Sequence, residues 1–448
     1  MARMFGTDGV RGVAGEELSA SLALKLGAAG AFVLADAPGK KPVVLVGCDT
    51  RISGDMLASA LMAGICSIGA DVMYAGVVPT PAIAYLTVKY GCDAGVVISA
   101  SHNPAKFNGI KFFDSKGFKL PDAVEDRIEA LIKDDLKDVK PAAGDATGII
   151  KRVDNAAEDY SDHCAEAVPM DLSGMKIVID CAEGASYRTS PMTLKKLGAD
   201  LIVLHDSPDG KNINLSCGST HMEELCERVK EEGAALGLAF DGDADRCLAV
   251  DEKGNIVNGD RMMAINALYL KEKGLLKKDL LTVTVMSNLG LELMAGKHGI
   301  KLSKTKVGDR YVLESMKEEG GCLGGEQSGH VIFLDENTTG DGLLSGLHLI
   351  KVIQESKKPL SELAEVMEML PQALVNVSVP NDRKDSITSV PEVKAAIEEL
   401  EKKYSGEGRI LIRPSGTEPL VRVMIEGRDE AVIEKDAKEL AALIGDCL

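Results

Sequence analysis

An α/β architecture of three related units, closed by a smaller α+β domain, is the fold class this sequence predicts. Three observations lead there. Strand-like and helix-like apolar runs alternate over most of the 448 residues, as in helices layered on sheets. One composite pattern recurs three times, the mark of a repeated unit. The composition, 45% hydrophobic and 27% charged with 46 glycines, allows a packed core and many strand-to-helix turns.

The repeat runs as follows. The first copy has "KPVVLVGCDTRISG", a helix-like "DMLASALMAGICSI", then "GADVMYAG". The second has "MKIVIDCAEGASY", "RTSPMTLKKL" and "GADLIVLHD"; the third has "LLTVTVMSNLG", "LELMAGKH" and "GIKLSKTKVGD". Each is strand, polar turn, helix, glycine, strand. Each is followed by a small-residue strand that ends in a polar loop: "AGVVISASHNP", "ALGLAFDGDADR" and "GCLGGEQSGH". A hairpin is expected after each loop, at "KFFDSKGFKL", "CLAVDEKGNIV" and "VIFLDENTTGDG". The three polar loops therefore occupy equivalent points, and ligands of open α/β sheets bind beyond the carboxyl ends of strands.

The C-terminal part differs: strand "ALVNVSVP", helix "PEVKAAIEELEKKY", strand "RILIR", loop "PSGTEP", strand "LVRVMIEG" and a final helix. Polar stretches near 133–160 and 356–360 read as links. The expected domains are 1–152, 153–252, 253–365 and 366–448.

The net charge of -18 argues against nucleic acid and anionic membranes as partners. The N-terminal "MARMFGTDGVRG" has no apolar signal core. The uncharged run Val72 to Val88 contains Pro79 and Pro81 and falls short of the ~20 residues of a spanning helix. Ten cysteines without a CxxC pair read as reduced thiols of a cytoplasmic protein and argue against zinc. The sequence does not set the oligomeric state; a homodimer is the assembly it allows for.

"DGDADR" spaces Asp241, Asp243 and Asp245 at alternate positions. Carboxylates so close repel unless a cation neutralises them, and hard oxygen ligands suit Mg²⁺ or Ca²⁺. An EF-hand is rejected, because Arg246 stands where its sharp turn needs Gly and strand-like runs flank the loop. A solvated acidic turn is the plain alternative. Mg²⁺ usually adds a phosphate oxygen to a few carboxylates, so a phosphate is expected nearby.

"ASHNP" offers Ser101 as a nucleophile with His102 and Asn103 as donors, or an ordinary turn. "GEQSGH" sets Glu326, Ser328 and His330 between glycines, where a carboxylate and a hydroxyl can grip sugar hydroxyls; a bulged strand is the alternative. "RPSGTEPLVR" carries Arg413, Ser415, Gly416, Thr417 and Arg422, which compose a phosphate cradle or a Pro-Gly hairpin with surface arginines. "FGTDGVRG" matches neither dinucleotide-binding nor P-loop fingerprints. Arg11 and Arg51 are candidates for phosphate contacts or for salt bridges, and "KVGDR" adds Gly308, Asp309 and Arg310.

A nucleophilic serine, a hard-metal loop, a sugar-gripping loop and a phosphate cradle together suggest phosphoryl transfer on a phosphorylated sugar. On these motifs the chain resembles the α-D-phosphohexomutase superfamily, from "FGTDGVRG" to "RPSGTEPLVRVMIEG". The motifs keep the family's order and spacing over essentially the whole length. The resemblance implies three phosphohexomutase-type α/β domains and a TATA-binding-protein-like C-terminal domain around a central cleft that closes through motion of the last domain. It also implies the following roles. Ser101 is phosphorylated in the resting enzyme. Asp241, Asp243 and Asp245 bind Mg²⁺, with the phosphoserine as a further ligand. Glu326 and Ser328 bind sugar hydroxyls, and Gly308 and Asp309 join the substrate-binding set. Arg413, Ser415, Gly416 and Thr417 hold the non-reacting phosphate, assisted by Arg422. Lys111 and His330 are the acid/base pair, and Arg246 contacts the transferring group.

The implied reaction converts glucosamine 6-phosphate to glucosamine 1-phosphate through a hexosamine 1,6-bisphosphate. A lysine inside a cationic, partly desolvated cleft is expected to have a lowered pKa, as a base needs. The amino-sugar assignment rests on the "GEQSGH" form of the sugar loop; the glucose/mannose branch more often has Met at its third position. Three other readings stay open: a mutase for glucose or mannose phosphates, a non-catalytic sugar-phosphate binding protein, and a metal-dependent phosphatase.

Overall fold

The computed structural model describes residues 3–6, 8–34, 41–380, 382–384, 386–414 and 419–447. The chain divides into two compact units, residues 1–286 with 299–366, and residues 287–298 with 367–448.

Three sheets of the first unit share one connectivity. In the first, the central strand Val43–Cys48 lies parallel to Asp71–Val77 on one side and to Ala94–Ile98 on the other. Ala94–Ile98 then pairs antiparallel with Phe107–Asp114. In the second, Lys176–Asp180 lies between Asp200–Leu204 and Leu236–Phe240, and the latter pairs antiparallel with Cys247–Asp251. In the third, Leu280–Thr284 lies between Lys301–Thr305 and Leu323–Gly325, and the latter pairs antiparallel with Val331–Phe333. The same four-strand order, built three times, is the repeat the sequence predicts. Ala94–Ile98, Leu236–Phe240 and Leu280–Thr284 are buried along their whole length, as continuous apolar strands covered on both faces are. Each reversal from parallel to antiparallel puts a polar loop at an equivalent strand end.

Two helices of the first repeat, Ala20–Leu34 and Gly54–Ser67, cross at backbone contact. A Cβ on Gly27 would sit 2.1 Å from the Leu61 carbonyl oxygen, and one on Gly64 would sit 2.0 Å from that of Leu24. Across the unit, one buried apolar cluster runs from Leu45 and Phe113 through Ile177 and Phe240 to Leu347 and Ile350. This shared core binds the repeats into one body. Truncating Leu238 or Leu347 inside it to Ala costs about 2–5 kcal/mol.

Two local expectations change. The polar stretch near 133–160 is not only a link: Ile150–Arg152 adds a parallel edge strand to the first sheet, and Ala156–Ala167 is a helix. After Val331–Phe333 the third repeat makes no hairpin. The chain turns through residues 334–341 and enters the helix Gly342–Ser356, capped by Asp341, whose side chain accepts the Leu344 N–H. A run as poor in β-formers as "DENTTGDG" favours that outcome.

The second unit has a three-stranded antiparallel sheet with Leu420–Glu426 between Gln372–Ser378 and Arg409–Pro414. Val421, Val423 and Ile425 alternate onto the buried face, where Leu440 and Ile444 of the final helix Glu430–Asp446 also lie. Asp429 caps that helix by accepting the Val432 N–H at 3.1 Å. The helix Leu289–Lys297, the third repeat's first helix, groups with this unit, and Asn288 at its start bonds Leu370 through both amide atoms.

Candidate active site

The strand Ala94–Ile98 runs out into Ser99, Ala100 and Ser101, all buried. Ser101 has φ 51, left-handed backbone that costs a side-chain-bearing residue about 1–2 kcal/mol. Arg51 holds it there. Its Nη2 donates to the carbonyl oxygens of Ser101 at 2.8 Å and Asn103 at 2.7 Å, its Nη1 to those of Pro104 at 2.6 Å and Phe107 at 3.1 Å, and its Nε to Asp49 Oδ2 at 2.8 Å. All five guanidinium N–H groups are thereby engaged. Ser99 is tied into the same cradle: its hydroxyl donates to Asp49 Oδ2 at 2.6 Å and accepts the Ser101 N–H at 3.0 Å. The Ser101 hydroxyl instead faces the acidic loop and donates to Asp241 Oδ2 at 2.5 Å. His102 Nδ1 lies 3.4 Å from that hydroxyl. Burial, then Arg246 and Arg11, pull the ring's pKa down to about 4, so it is neutral at physiological pH.

The acidic loop joins the antiparallel strands Leu236–Phe240 and Cys247–Asp251, which removes the EF-hand on geometric grounds. One oxygen from each of Asp241, Asp243 and Asp245 lies within 4.8 Å of the others, and the three residues are buried. Burial and the charges of Asp245 and Asp243 raise the Asp241 pKa well above the ordinary carboxylate range. Asp243 Oδ1 and Asp245 Oδ1 are buried with no hydrogen bond. Repelling carboxylates with bare oxygens aimed together fit a hard divalent cation such as Mg²⁺. Gly242 allows the approach: a Cβ there would meet the Ser101 carbonyl oxygen at 2.6 Å.

Lys111, on Phe107–Asp114, enters from the other side. Its Nζ lies 2.9 Å from Asp243 Oδ2, 2.8 Å from Asp8 Oδ2 and 4.0 Å from Asp245 Oδ2. Burial works against its charge, but Asp243, Asp8 and Asp245 outweigh burial and raise its pKa. This corrects the expected lowered pKa, because the surroundings are anionic rather than cationic. Lys119 extends the network, bridging Asp8 at 2.6 Å and Asp309.

His330, from the third repeat, is buried between Asp245 and Asp309. Nδ1 lies 3.5 Å from Asp245 Oδ2 and Nε2 lies 3.5 Å from Asp309 Oδ2. The Gly340 N–H donates to Nε2 at 3.1 Å, which leaves the neutral ring's proton on Nδ1. Burial opposes a second proton, yet Asp245 and Asp309 raise the pKa above its ordinary value. Glu326 Oε1 accepts the Gly308 N–H at 3.0 Å, joining the sugar-type loop to "KVGDR" at the start of the helix Asp309–Glu319. Ser328 Oγ is buried with no hydrogen bond. Arg246 faces Asp245 across 3.8 Å, and its backbone N–H bonds Asp241.

Comparison with known proteins places this geometry. Four family models match in order: phosphoglucomutase/phosphomannomutase alpha/beta/alpha domain I over residues 2–138, domain II over 158–254, domain III over 258–370 and the C-terminal domain over 374–443. The chain belongs to the phosphoglucomutase/phosphomannomutase family. Among relatives, a phosphoglucosamine mutase of Ruminiclostridium cellulolyticum is 57% identical over 99% of both chains, and one of Acetivibrio thermocellus is 56% identical over 100% of both. Among solved structures, a phosphoglucomutase/phosphomannomutase family protein of Burkholderia thailandensis has a TM-score of 0.83 at 24% identity, covering 100% of this chain and 98% of its own. The Aspergillus fumigatus N-acetylphosphoglucosamine mutase in complex with GlcNAc-6P and magnesium has a TM-score of 0.69 at 18% identity, covering 99% and 95%.

Within this family fold the first unit draws together Ser101, Lys111, the three aspartates, Arg246, Gly308, Asp309, Glu326 and His330. Arg11 ion-pairs with Asp8 and keeps 31% of its side chain exposed, so it remains a candidate for a phosphate. Arg51 does not: fully buried, with every donor engaged, it holds the serine loop instead. Arg413 and Arg422 lie in the second unit as register partners on adjacent strands; Ser415, Gly416 and Thr417 lie outside the described residues. Sequence reasoning missed Asp8, Lys119, Asp49, Thr80 and Asn214. Thr80 donates to Asp243 Oδ2 at 2.7 Å, and the Asn214 amide to the Ser101 carbonyl oxygen at 2.9 Å. None of the five stands in a pattern that signals chemistry; only the fold brings them to the loops. Among the described residues no helix is long and apolar enough to cross a membrane.

Proposed function

We propose that this chain interconverts glucosamine 6-phosphate and glucosamine 1-phosphate. The observation that carries the reading is the buried Ser101 hydroxyl, 2.5 Å from an acidic triad that fits a divalent cation. The choice of amino sugar rests on full-length relatives, 56–57% identical, that are named phosphoglucosamine mutase.

In the forward direction a phosphoserine at Ser101 gives its phosphoryl group to O1 of glucosamine 6-phosphate. The P–Oγ bond breaks, the P–O1 bond forms, and the O1 proton passes to a base. The resulting 1,6-bisphosphate turns over in the site. Its 6-phosphoryl group returns to Ser101 Oγ and O6 takes up a proton, leaving glucosamine 1-phosphate. His330, held between Asp245 and Asp309, which raise its pKa above the ordinary value, is the group that exchanges a proton with the substrate. Lys111 stays charged beside its carboxylates and steadies the leaving oxygen as a hydrogen-bond donor and positive charge. Arg246 supports the transferring group. Glu326, Ser328, Gly308 and Asp309 take the sugar hydroxyls.

Asp241, Asp243 and Asp245 would hold Mg²⁺, the ion named with the Aspergillus enzyme, and it would supply neutralising charge for the transferred group. Arg413 and Arg422, with Ser415, Gly416 and Thr417, take the substrate's other phosphate. The two arginines stand opposite one another in cross-strand register. The domain division at 152/153, 252/253 and 365/366 is part of this reading, supported by the threefold repeat. So is a cytoplasmic setting, supported by ten free cysteines.

A coupled assay on glucosamine, glucose and mannose 6-phosphates tests the proposal. The highest kcat/KM is expected on glucosamine 6-phosphate. A higher value on glucose 6-phosphate would support the second reading, a mutase for glucose or mannose phosphates within the same family. Phosphate release without isomer formation would point to a phosphatase.

A further inference from the structure

The second repeat holds a group of metal-ligating side chains apart from the acidic triad. The strand Lys176–Asp180 ends on buried Asp180. The neighbouring parallel strand Asp200–Leu204 is followed by His205, at φ 52. The chain returns to the same point at buried Cys217. One ligand atom from each of Asp180, His205 and Cys217 lies within 4.8 Å of the others. His205 Nδ1 is 3.1 Å from Asp180 Oδ2, yet this buried nitrogen makes no hydrogen bond. The two groups lie at ion-pair distance, so one cation, a proton or a metal ion, can sit between them.

The surroundings hold these ligands in place. His205 Nε2 faces Glu224 Oε2 at 3.4 Å, the carboxylate partner that orients a metal-binding imidazole. Asp180 Oδ1 accepts the Ala182 N–H at 2.8 Å, and Oδ2 accepts the Gly218 N–H at 2.8 Å, leaving a lone pair on Oδ2 for a metal. His205 is 22% exposed, which opens a path for an ion.

We infer that Asp180, His205 and Cys217 bind one Zn²⁺, with a fourth position open to water. Nitrogen, sulfur and oxygen donors in a three-ligand set suit Zn²⁺ and disfavour Mg²⁺, whereas the all-oxygen triad has the opposite preference. Binding displaces the Cys217 thiol proton, which burial, followed by Asp180 and Glu183, holds up to about 12, together with any second proton on His205, whose pKa Asp180 raises. The metal ties down the segment from His205 to Cys217, which also carries Asn214. That amide donates to the carbonyl oxygens of Ser101 at 2.9 Å and Asn103 at 3.2 Å. The site is thus a structural clamp behind the serine loop, and it does not depend on the identity of the sugar. Scattered cysteines argue against zinc in the sequence because the ligands are distant in the chain; two adjacent strand ends bring them together.

The test uses the full chain, stripped with chelator, returned to Mg²⁺ buffer and titrated with Zn²⁺ or Co²⁺. One equivalent of tightly held Zn²⁺ is expected, and Co²⁺ is expected to give tetrahedral bands with a sulfur-to-cobalt charge-transfer band. Cys217→Ser should abolish the charge-transfer band. His205→Asn, which tolerates the left-handed backbone, should weaken Zn²⁺ by about tenfold or more. Circular dichroism checks that each variant is folded; His205→Asn alone decides if Cys217→Ser does not fold. Absence of bound Zn²⁺ in the parent chain, unchanged affinity in His205→Asn, or a charge-transfer band that persists in folded Cys217→Ser overturns the inference.

Discussion

The Ser101 hydroxyl donates to Asp241 Oδ2 at 2.5 Å, joining residues 140 positions apart in the chain. One contact thus links the loop of the first repeat to the equivalent loop of the second. It puts the proposed phosphoryl acceptor beside the carboxylates proposed to hold a cation.

Ser101→Ala removes that acceptor. Mutase activity should fall by about 10³-fold or more, and incubation with a hexose 1,6-bisphosphate should leave the intact mass unchanged. The parent chain should gain one phosphoryl group. Retained activity in Ser101→Ala would refute the phosphoserine route.

Asp241→Asn separates the electrostatics of the free loop from metal binding. Without a divalent ion the raised Asp241 pKa favours the neutral acid, which Asn imitates, so the Tm should hold. With Mg²⁺ in excess the parent chain should be stabilised by mass action, and the variant should lose most of that increase. Thermal melts with EDTA and with Mg²⁺ make the comparison; an equal Mg²⁺ response in both would argue against Asp241 as a ligand.

Arg51→Lys tests the cradle behind Ser101. An ammonium has three donors where the guanidinium uses five, so loop carbonyls lose partners and the strained Ser101 backbone can relax. The expected result is a destabilisation of about 1–3 kcal/mol. The kcat should fall by about 10–10²-fold, with little change in KM. A KM effect alone would return Arg51 to the role of a phosphate contact.

In the second unit, buried Asp436 accepts from Lys403 Nζ at 2.6 Å and from the Tyr404 hydroxyl. Burial works against its charge, but those two partners prevail and lower its pKa. A depressed folded pKa stabilises the fold above the unfolded value of about 3.9, and the benefit fades as pH falls through the folded value. Asp436→Asn should therefore lower the Tm at pH 7, and the gap to the parent chain should narrow below about pH 4. A gap that stays constant from pH 7 to pH 3 would count against this assignment.

The legible part of the site is the part with local pattern. Alternating aspartates in "DGDADR", a serine after an apolar strand and a carboxylate–serine pair between glycines each carry a local pattern that admits chemistry beside a plain turn or bulge, and their ordered set points to the family. What spacing cannot convey is the sign of the field around a side chain. Lys111 looks like one charge in an apolar run, yet it sits among Asp8, Asp243 and Asp245. Arg51 looks like a surface cation beside a loop, yet it is a buried five-donor clamp.

By itself the sequence determined the threefold α/β repeat, the equivalent placement of three polar loops and the family, because apolar periodicity and short motifs are properties of contiguous residues. Only the tertiary structure decided that Ser99 turns away to Asp49, that His330 lies between two carboxylates, and that Asp180, His205 and Cys217 come within reach of one ion. Those relationships depend on which strand ends lie side by side. Sheet pairing and the shared core set that order, and no local pattern records it.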